Sequence, residues 1–377
     1  MSKLIDICHL TSVHKRNDIR IFTKQCISIK NSKSFNVHLV VSDNYKNEIR
    51  NSVKIFNVGK AKNRFERIFK ISKKIYSEAI RLDCDIYHIH DPELIPVGLK
   101  LKRKGKKVIF DSHEDIAEDI LTKSWIPFFL RKAVSILLSQ YIKYAFTKFD
   151  FIITATPFIK DKYSKINAHT IDINNYPILK EFSNPKDWID RGNNAVYLGV
   201  ISRRRGIFEI LASHEDSNQF NFIIAGNYEN KKIKGELKNK RNWKNVDYRG
   251  YLERDGIIKI LNNSKVGFQI IESLNSYQDA IPIKMLEYMA AEIPVICSNV
   301  NILNQIINEN KCGIILRKND KNEIIQSLKF LYENQEIAEQ MGKNGRQKIL
   351  KDWNWEKESL KLLDLYKNLY YEKYSNN

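Results

Sequence analysis

The chain has 377 residues, of which 43% are hydrophobic, and a formal net charge of +19. That length allows two domains with separate cores, and no apolar run approaches the roughly 20 residues that cross a bilayer. The positive charge calls for an anionic partner, whether nucleic acid, a membrane surface or a phosphorylated substrate. A genome-driven excess of Lys, Asn and Ile is a second source of it. The start, MSKLIDICHLTSVH, reads as a strand and not as a signal peptide, because polar residues interrupt its short apolar run. Five scattered cysteines (Cys8, Cys26, Cys84, Cys297, Cys312) show no zinc spacing and suit a reduced cytosol.

In chain order, residues 4–10 read as a strand, 18–30 as a helix and 37–41 as a strand. A helix over 64–81, a strand over 86–89, a helix over 93–104 and a strand over 107–110 follow. A long helical pattern covers 126–147 and a strand 151–154. The polar stretch 180–194 reads as a linker, after which the rhythm restarts with a strand over 195–200 and a helix over 206–213. Strands over 220–225, 245–248, 266–271 and 294–297 continue it. The last helix, 355–370, carries Leu362, Leu365, Tyr366 and Leu369 at helical spacing. Such alternation predicts two parallel sheets flanked by helices, with ligands at the carboxyl ends of the strands.

The segment AIPIKMLEYMAAEIPVICSN, residues 280–299, carries the sharpest signal. Pro282 suits a helix start. The free N–H groups of the first turn opened by Ile281, Pro282 and Ile283, of which proline itself supplies none, make a phosphate site with the dipole behind them. Lys284 adds charge there, although a lysine on a first turn is also read as an ordinary surface residue. Glu287 lies just over one turn further on, placed to accept hydrogen bonds from sugar hydroxyls, and Asp279 precedes it. The alternative is an amphipathic helix and buried strand with no ligand. Arg203, Arg204 and Arg205 form a basic turn after a strand glycine, suited to bidentate phosphate contact or to plain solvation.

The loop after the first strand holds His14, Asp18 and Arg20. Asp18 reads as a helix cap, and His14 and Arg20 as cleft-facing candidates. His90–Asp91 and the run Asp111, His113, Glu114, Asp115 end two strands as a polar floor; metal ligation is a second reading, although the spacings match no known metal motif, and helix capping is the other reading for Asp111, Glu114 and Asp115. Residues 125–144 mix aromatic, aliphatic and basic side chains. That mixture suits either an interfacial helix on anionic lipid or a helix packed on its own sheet, and the basic runs 60–74 and 100–107 extend the positive surface.

At these residues the chain resembles the retaining glycosyltransferases of family 4, of GT-B type and of the bacterial surface-polysaccharide group. Asp279 and Glu287 match that family's E-x7-E pair, with the first member one methylene shorter. The run from Met289 to Ile296 matches M-A-x-G-x-P-V-I, with Glu292 in place of glycine. Arg205–Gly206 matches its Arg/Lys-Gly pair, and Val200 replaces an arginine common after the strand glycine, a contact that Arg203 would then supply. The resemblance implies an α/β GT-B architecture, two Rossmann-like doubly wound domains facing a central cleft. It divides them as 1–185 on the acceptor side, 186–355 on the donor side, and a terminal helix 356–377 crossing back. It implies a UDP- or GDP-linked sugar donor, a glycan or lipid-linked acceptor, no metal and no other cofactor. His113 would lie near the transferred sugar, Asp279 and Glu287 at sugar and ribose hydroxyls, and Arg205 and Lys284 on the diphosphate. The protein would be cytoplasmic, peripheral on the inner face of the membrane. A sugar-nucleotide 2-epimerase of the same fold, a basic nucleic-acid binder and an inactive paralogue are the alternatives. No RNP-like, helix-turn-helix or zinc pattern supports nucleic acid.

Overall fold

Short runs rich in Ile, Val and Phe become the strands of two sheets in the computed structural model, which describes residues 4–122, 126–217, 219–272 and 281–375. The first sheet contains β1 (Ile5–Leu10), β2 (Phe35–Val41), β3 (Glu48–Arg50), β4 (Val53–Asn57), β5 (Ile86–Ile89), β6 (Lys107–Ser112), β7 (Phe151–Thr154) and β8 (Thr170–Asp172). Their order is β3-β4-β2-β1-β5-β6-β7-β8, and only β3 runs antiparallel to its neighbour. The second sheet contains β9 (Asn194–Leu198), β10 (Asn221–Ala225), β11 (Asp247–Gly250), β12 (Val266–Gln269), β13 (Val295–Ser298) and β14 (Gly313–Leu316). Its order is β11-β10-β9-β12-β13-β14, all parallel. Helices cover both faces, so β5, β9, β12 and β13 are buried at every position, as central parallel strands require.

Each sheet reverses its strand order at its first strand. In the first the reversal lies between β1 and β5, in the second between β9 and β12. Doubly wound folds bind ligand at the carboxyl ends of the strands beside such a reversal. The loops at those ends carry Thr11–His14 and His90–Asp91 in one sheet, and Gly199–Arg205 and the approach to Glu287 in the other.

The chain divides into two units, Met1–Asn175 with Glu356–Asn377, and Tyr176–Trp355. The boundary falls at 175/176 and not at 185/186, because Tyr176 and Phe182 are buried in the core of the second unit. The segment read as a linker contains short helical turns, Leu179–Phe182 and Trp188–Asp190. The terminal helix Trp355–Ser375 sends Tyr366 into the first unit, where its hydroxyl meets His88 at 2.6 Å.

Local chemistry explains the helix ends. Asp18 caps the helical stretch that opens with Ile19–Cys26, accepting from the Arg20 and Ile21 amides. Pro282 is the cap of helix Ile283–Ala290 and not its first residue, so the helix begins one position later than the proline suggested. Glu292, which stands where the resembling family has glycine, takes a left-handed conformation at φ +60°, the kind of position that favours glycine. Its carboxylate reaches Arg346 at 3.2 Å and Arg191 at 3.7 Å. The long helix Phe128–Phe146 is preceded by a separate helix, Ile116–Thr122.

Candidate functional site

The candidate residues fall into two groups, one per unit. In the first unit, register places His9 beside His88 on neighbouring strands, with His90 one position past the end of β5. His9 Nδ1 lies 2.9 Å from His90 Nε2, and Tyr366 lies 3.3 Å from His9 Nε2. Rings continue outward: His90 to His113 at 5.7 Å and His113 to His14 at 5.2 Å between centroids. Burial pushes these imidazoles toward the neutral form, His113 to about 4 and His90 to about 3. His14 goes the other way: burial pulls it down, but its 3.2 Å contact with Asp18, together with Asp91, more than offsets that. His113 Nε2 is buried with no partner among the described residues, which leaves it a neutral ring nitrogen able to bond a hydroxyl.

Arg20 is not a cleft-facing cation. Its guanidinium is buried and bidentate on Asp111, at 3.0 and 2.7 Å, with a third bond of 2.9 Å to the Ile173 carbonyl. Asp111 in turn does not cap a helix. Burial raises its pKa, and Arg20 and the neighbouring His113 and His90 pull it well below the usual carboxylate range. Asp91 is an anchor: it accepts from Thr11 Oγ1 at 2.8 Å and from the Ser12 amide at 2.6 Å, which fixes the loop that presents His14. Two sets of groups, His9–His88–His90 and His90–Asp111–His113, have donor atoms within 4.8 Å of one another, close enough to surround a metal. Asp111 is already committed to Arg20 and Gln25, however, and His9 to His90 and Tyr366, so the donors form a hydrogen-bonded network.

In the second unit the basic turn after β9 is pinned by Gly206, at φ +65°, where an added Cβ would meet Ile270 Cγ2 at 2.2 Å. Arg205, next to it, lies against Gly199: a Cβ there would stand 3.2 Å from its guanidinium. Lys284 has its Nζ buried 4.2 Å from the Tyr197 ring centroid. Among the described residues it has no hydrogen-bond partner. Burial, then the nearby Arg205, pushes it well below the usual lysine range. The amides of Met285 and Leu286 bond back to the Pro282 carbonyl at 3.0 and 3.4 Å, so those of Ile283 and Lys284 lead the helix. Ile281 packs partly into the core beneath. Arg203 bonds Glu236 at 2.6 Å and lies 4.0 Å from the centroid of the Phe208 ring. Val200, where a second arginine was absent, accepts from the Tyr197 hydroxyl at 2.6 Å. Asp279 lies outside the described residues.

Glu287 is half-buried and holds a partner that sequence reasoning missed. Arg254 bonds it through one terminal nitrogen and grips Glu181 with the other two. The three residues are far apart in the chain, and Glu181 stands in a segment read as linker, so no local pattern links them.

Helix Phe128–Phe146 plays two parts. Ile142, Ala145 and Phe146 join the core, whereas Phe128, Phe129, Ile136, Leu137 and Tyr144 are exposed. Among the described residues no helix is long and apolar enough to cross a membrane.

Residues 180–348 match the model of the glycosyl transferases group 1, and residues 32–173 that of glycosyltransferase family 4. An uncharacterized glycosyltransferase of Methanocaldococcus jannaschii is 26% identical over 355 residues, 90% of this chain and 92% of that protein. Sucrose-phosphate synthase from Thermosynechococcus elongatus superposes with a TM-score of 0.74 over 98% of this chain and 100% of its own, at 16% identity. The Anabaena protein HepE in complex with UDP-glucose gives a TM-score of 0.69 at 10% identity, over 97% of this chain and 100% of that one.

Proposed function

The chain belongs to the group 1/family 4 glycosyltransferases of GT-B fold, and from that premise we propose that it moves a sugar from a UDP- or GDP-linked donor to a glycan or lipid-linked acceptor, with retention at the anomeric carbon and without a metal. The observation that carries the reading is the pair Arg205 and Lys284: among the described residues neither has a carboxylate partner, and they share one corner at a helix start. A buried amine left unpaired costs stability, and a diphosphate supplies the charge it lacks. HepE, which superposes on this chain, is complexed with UDP-glucose.

In this mechanism the donor diphosphate leaves with its charge held by Arg205, Lys284 and the leading amides of helix Ile283–Ala290. Stabilising charge as it develops at the leaving group is electrostatic catalysis. Glu287 takes the ribose hydroxyls and Asp279 the sugar hydroxyls. His113, neutral, bonds a hydroxyl of the transferred sugar. No side chain in either group stands out as a covalent nucleophile, so the acceptor attacks from the face the leaving group vacates. The acceptor belongs to the first unit, whose exposed apolar helix and basic companions suit an anionic membrane surface and a lipid-linked glycan used in polysaccharide assembly.

The test incubates the full chain with a panel of nucleotide sugars and a lipid-linked acceptor extract, with and without EDTA. Release of nucleoside diphosphate with an anomer of unchanged configuration is the expected result. Inverted product overturns retention. Loss of donor binding in EDTA overturns metal independence, and free 2-epimerised sugar nucleotide without transfer favours the epimerase.

A further inference from the structure

Arg254 opens helix Arg254–Asn262 and joins two carboxylates from distant parts of the second unit. Its Nε and one terminal nitrogen both donate to Glu181 Oε2, at 2.9 and 2.6 Å, and the other terminal nitrogen donates to Glu287 Oε1. The guanidinium rests 5.6 Å from the centroid of the buried Phe182 ring. All three ionic side chains are about four-fifths covered or more, with exposures of 20, 20 and 12% for Arg254, Glu181 and Glu287. Burial works against the charge on Arg254, and the two carboxylates more than restore it. Two carboxylates on one guanidinium leave an excess negative charge. Among the described residues no hydrogen bond reaches Glu287 Oε2 or Glu181 Oε1, so each carboxylate keeps one oxygen with spare acceptor capacity, and on Glu287 that oxygen belongs to the residue read as the ribose acceptor.

Lys284 stands three positions before Glu287 on the same helix, a spacing at which opposite charges meet. No such pair forms. Glu287 is turned to Arg254 instead, which leaves the lysine amine unpaired.

We infer that Arg254 is a positioning residue: it holds the Glu287 carboxylate in the orientation that reads the donor ribose, keeps it off Lys284, and is itself held by Glu181 in the segment just past the unit boundary. This rests on the donor-site reading of the second unit. Arg254 touches no substrate atom. It fixes one oxygen of Glu287 so that the other meets vicinal hydroxyls without first paying to be ordered. Glu181 pins the guanidinium at two of its nitrogens, so the geometry is set by a chain of two ion pairs and not by the helix alone.

The deciding measurement is calorimetric binding of UDP, GDP and their 2′-deoxy counterparts to the full chain and its Arg254→Met, Arg254→Lys and Glu181→Gln variants. The unmodified protein is expected to prefer the ribonucleotide by about tenfold or more, the value of one lost charge-assisted hydrogen bond. Arg254→Met should bring that preference near unity by weakening the ribonucleotide while leaving the deoxynucleotide little changed. Arg254→Lys, which keeps the charge but not the fork, should fall between. Equal weakening of both nucleotides, or an undiminished preference, overturns the inference, since a purely structural role would not act through the 2′-hydroxyl. If Arg254→Met does not fold, the Lys and Gln variants decide by the same ratio. Tight binding without ribose preference in the unmodified protein overturns the inference alone, and no nucleotide binding at all overturns the donor reading beneath it.

Discussion

The two units present the same kind of strand end and treat charge in opposite ways. In the first, the buried charges at the strand ends are answered, Arg20 by Asp111 and Asp91 by Thr11 and Ser12, and the neutral His9 ring is bonded to His90 and Tyr366. In the second, Arg205 and Lys284 face one corner without a carboxylate among the described residues, while Glu287 is held aside by Arg254. A satisfied network rigidifies, whereas an unsatisfied buried charge waits for a ligand that completes it. The location of these unpaired basic groups therefore says where an anionic ligand belongs, which the shared fold does not.

The contrast is broken most severely at its best-satisfied pair. Asp111→Asn leaves Arg20 buried without its counter-charge, and breaking a buried pair this way costs about 3–5 kcal/mol. Thermal unfolding should show it as a drop of roughly 2–4 °C per kcal/mol for a unit of this size. A melting point within a degree or so of the parent would mean that the pair is not a structural keystone.

Acid should separate the units next. His9, His88, His90 and His113 are held below the usual imidazole range by burial, and all belong to the first unit. A group with a depressed folded pKa binds its proton more readily once unfolded. Its contribution is full above its unfolded value near 6.5, falls progressively as pH drops below that, and is lost once pH has passed the folded values, about 4 for His113 and about 3 for His90. His14, raised by Asp18 and Asp91 against its burial, opposes this weakly. The second unit holds one histidine, His214, also lowered by burial. Hydrogen exchange between pH 7 and pH 5 should therefore show the first unit loosening first. Equal loosening of both would remove the histidine network as the cause.

The unpaired amine makes the reverse prediction. Lys284→Met replaces a buried amine that has no partner, and such a group costs about 1–3 kcal/mol. The variant should melt higher and lose donor binding together, the trade expected where a site stores unfavourable charge for its ligand. Lower stability with donor affinity retained would place the amine in the core and not in the site.

Much of the fold was legible because parallel strands buried on both faces read as apolar runs: β1, β5 and β7 lie where residues 4–10, 86–89 and 151–154 pointed. What escaped was short or ambiguous. β3 and β8 have three residues each, and β14, Gly313–Leu316, is an apolar tetrapeptide that periodicity cannot assign. In the site, local chemistry was readable: the Asp18 cap and, to within one residue, the helix start at Pro282. Pairings across the chain were not. Arg20 meets Asp111 from 91 positions away and Arg254 meets Glu181 from 73, so their commitments became visible only in three dimensions.

The smallest expected effect concerns surfaces. Residues 126–149 of the first unit hold four cationic side chains (Arg131, Lys132, Lys143, Lys148) and no acidic one. Phe128 and Phe129 beside them are 84 and 79% exposed. Aromatic side chains with basic neighbours suit the edge of an anionic bilayer, and each Lys or Arg near such a surface adds roughly 1 kcal/mol. The second unit also exposes an isolated apolar side chain, Ile189 at 85%, but in a short turn. Co-sedimentation of the full chain should show binding to vesicles with phosphatidylserine and little to neutral ones. The binding should weaken with salt as screening shortens to about 8 Å near physiological ionic strength. Phe128→Ser with Phe129→Ser should reduce it, Arg131→Glu with Lys132→Glu should abolish its salt dependence, and Ile189→Ser should leave it unchanged. Equal pelleting on both vesicle types, or none on either, would show that the exposed helix serves something other than an anionic membrane. An effect of Ile189→Ser as large as that of the phenylalanines would show that the binding is not confined to the first unit.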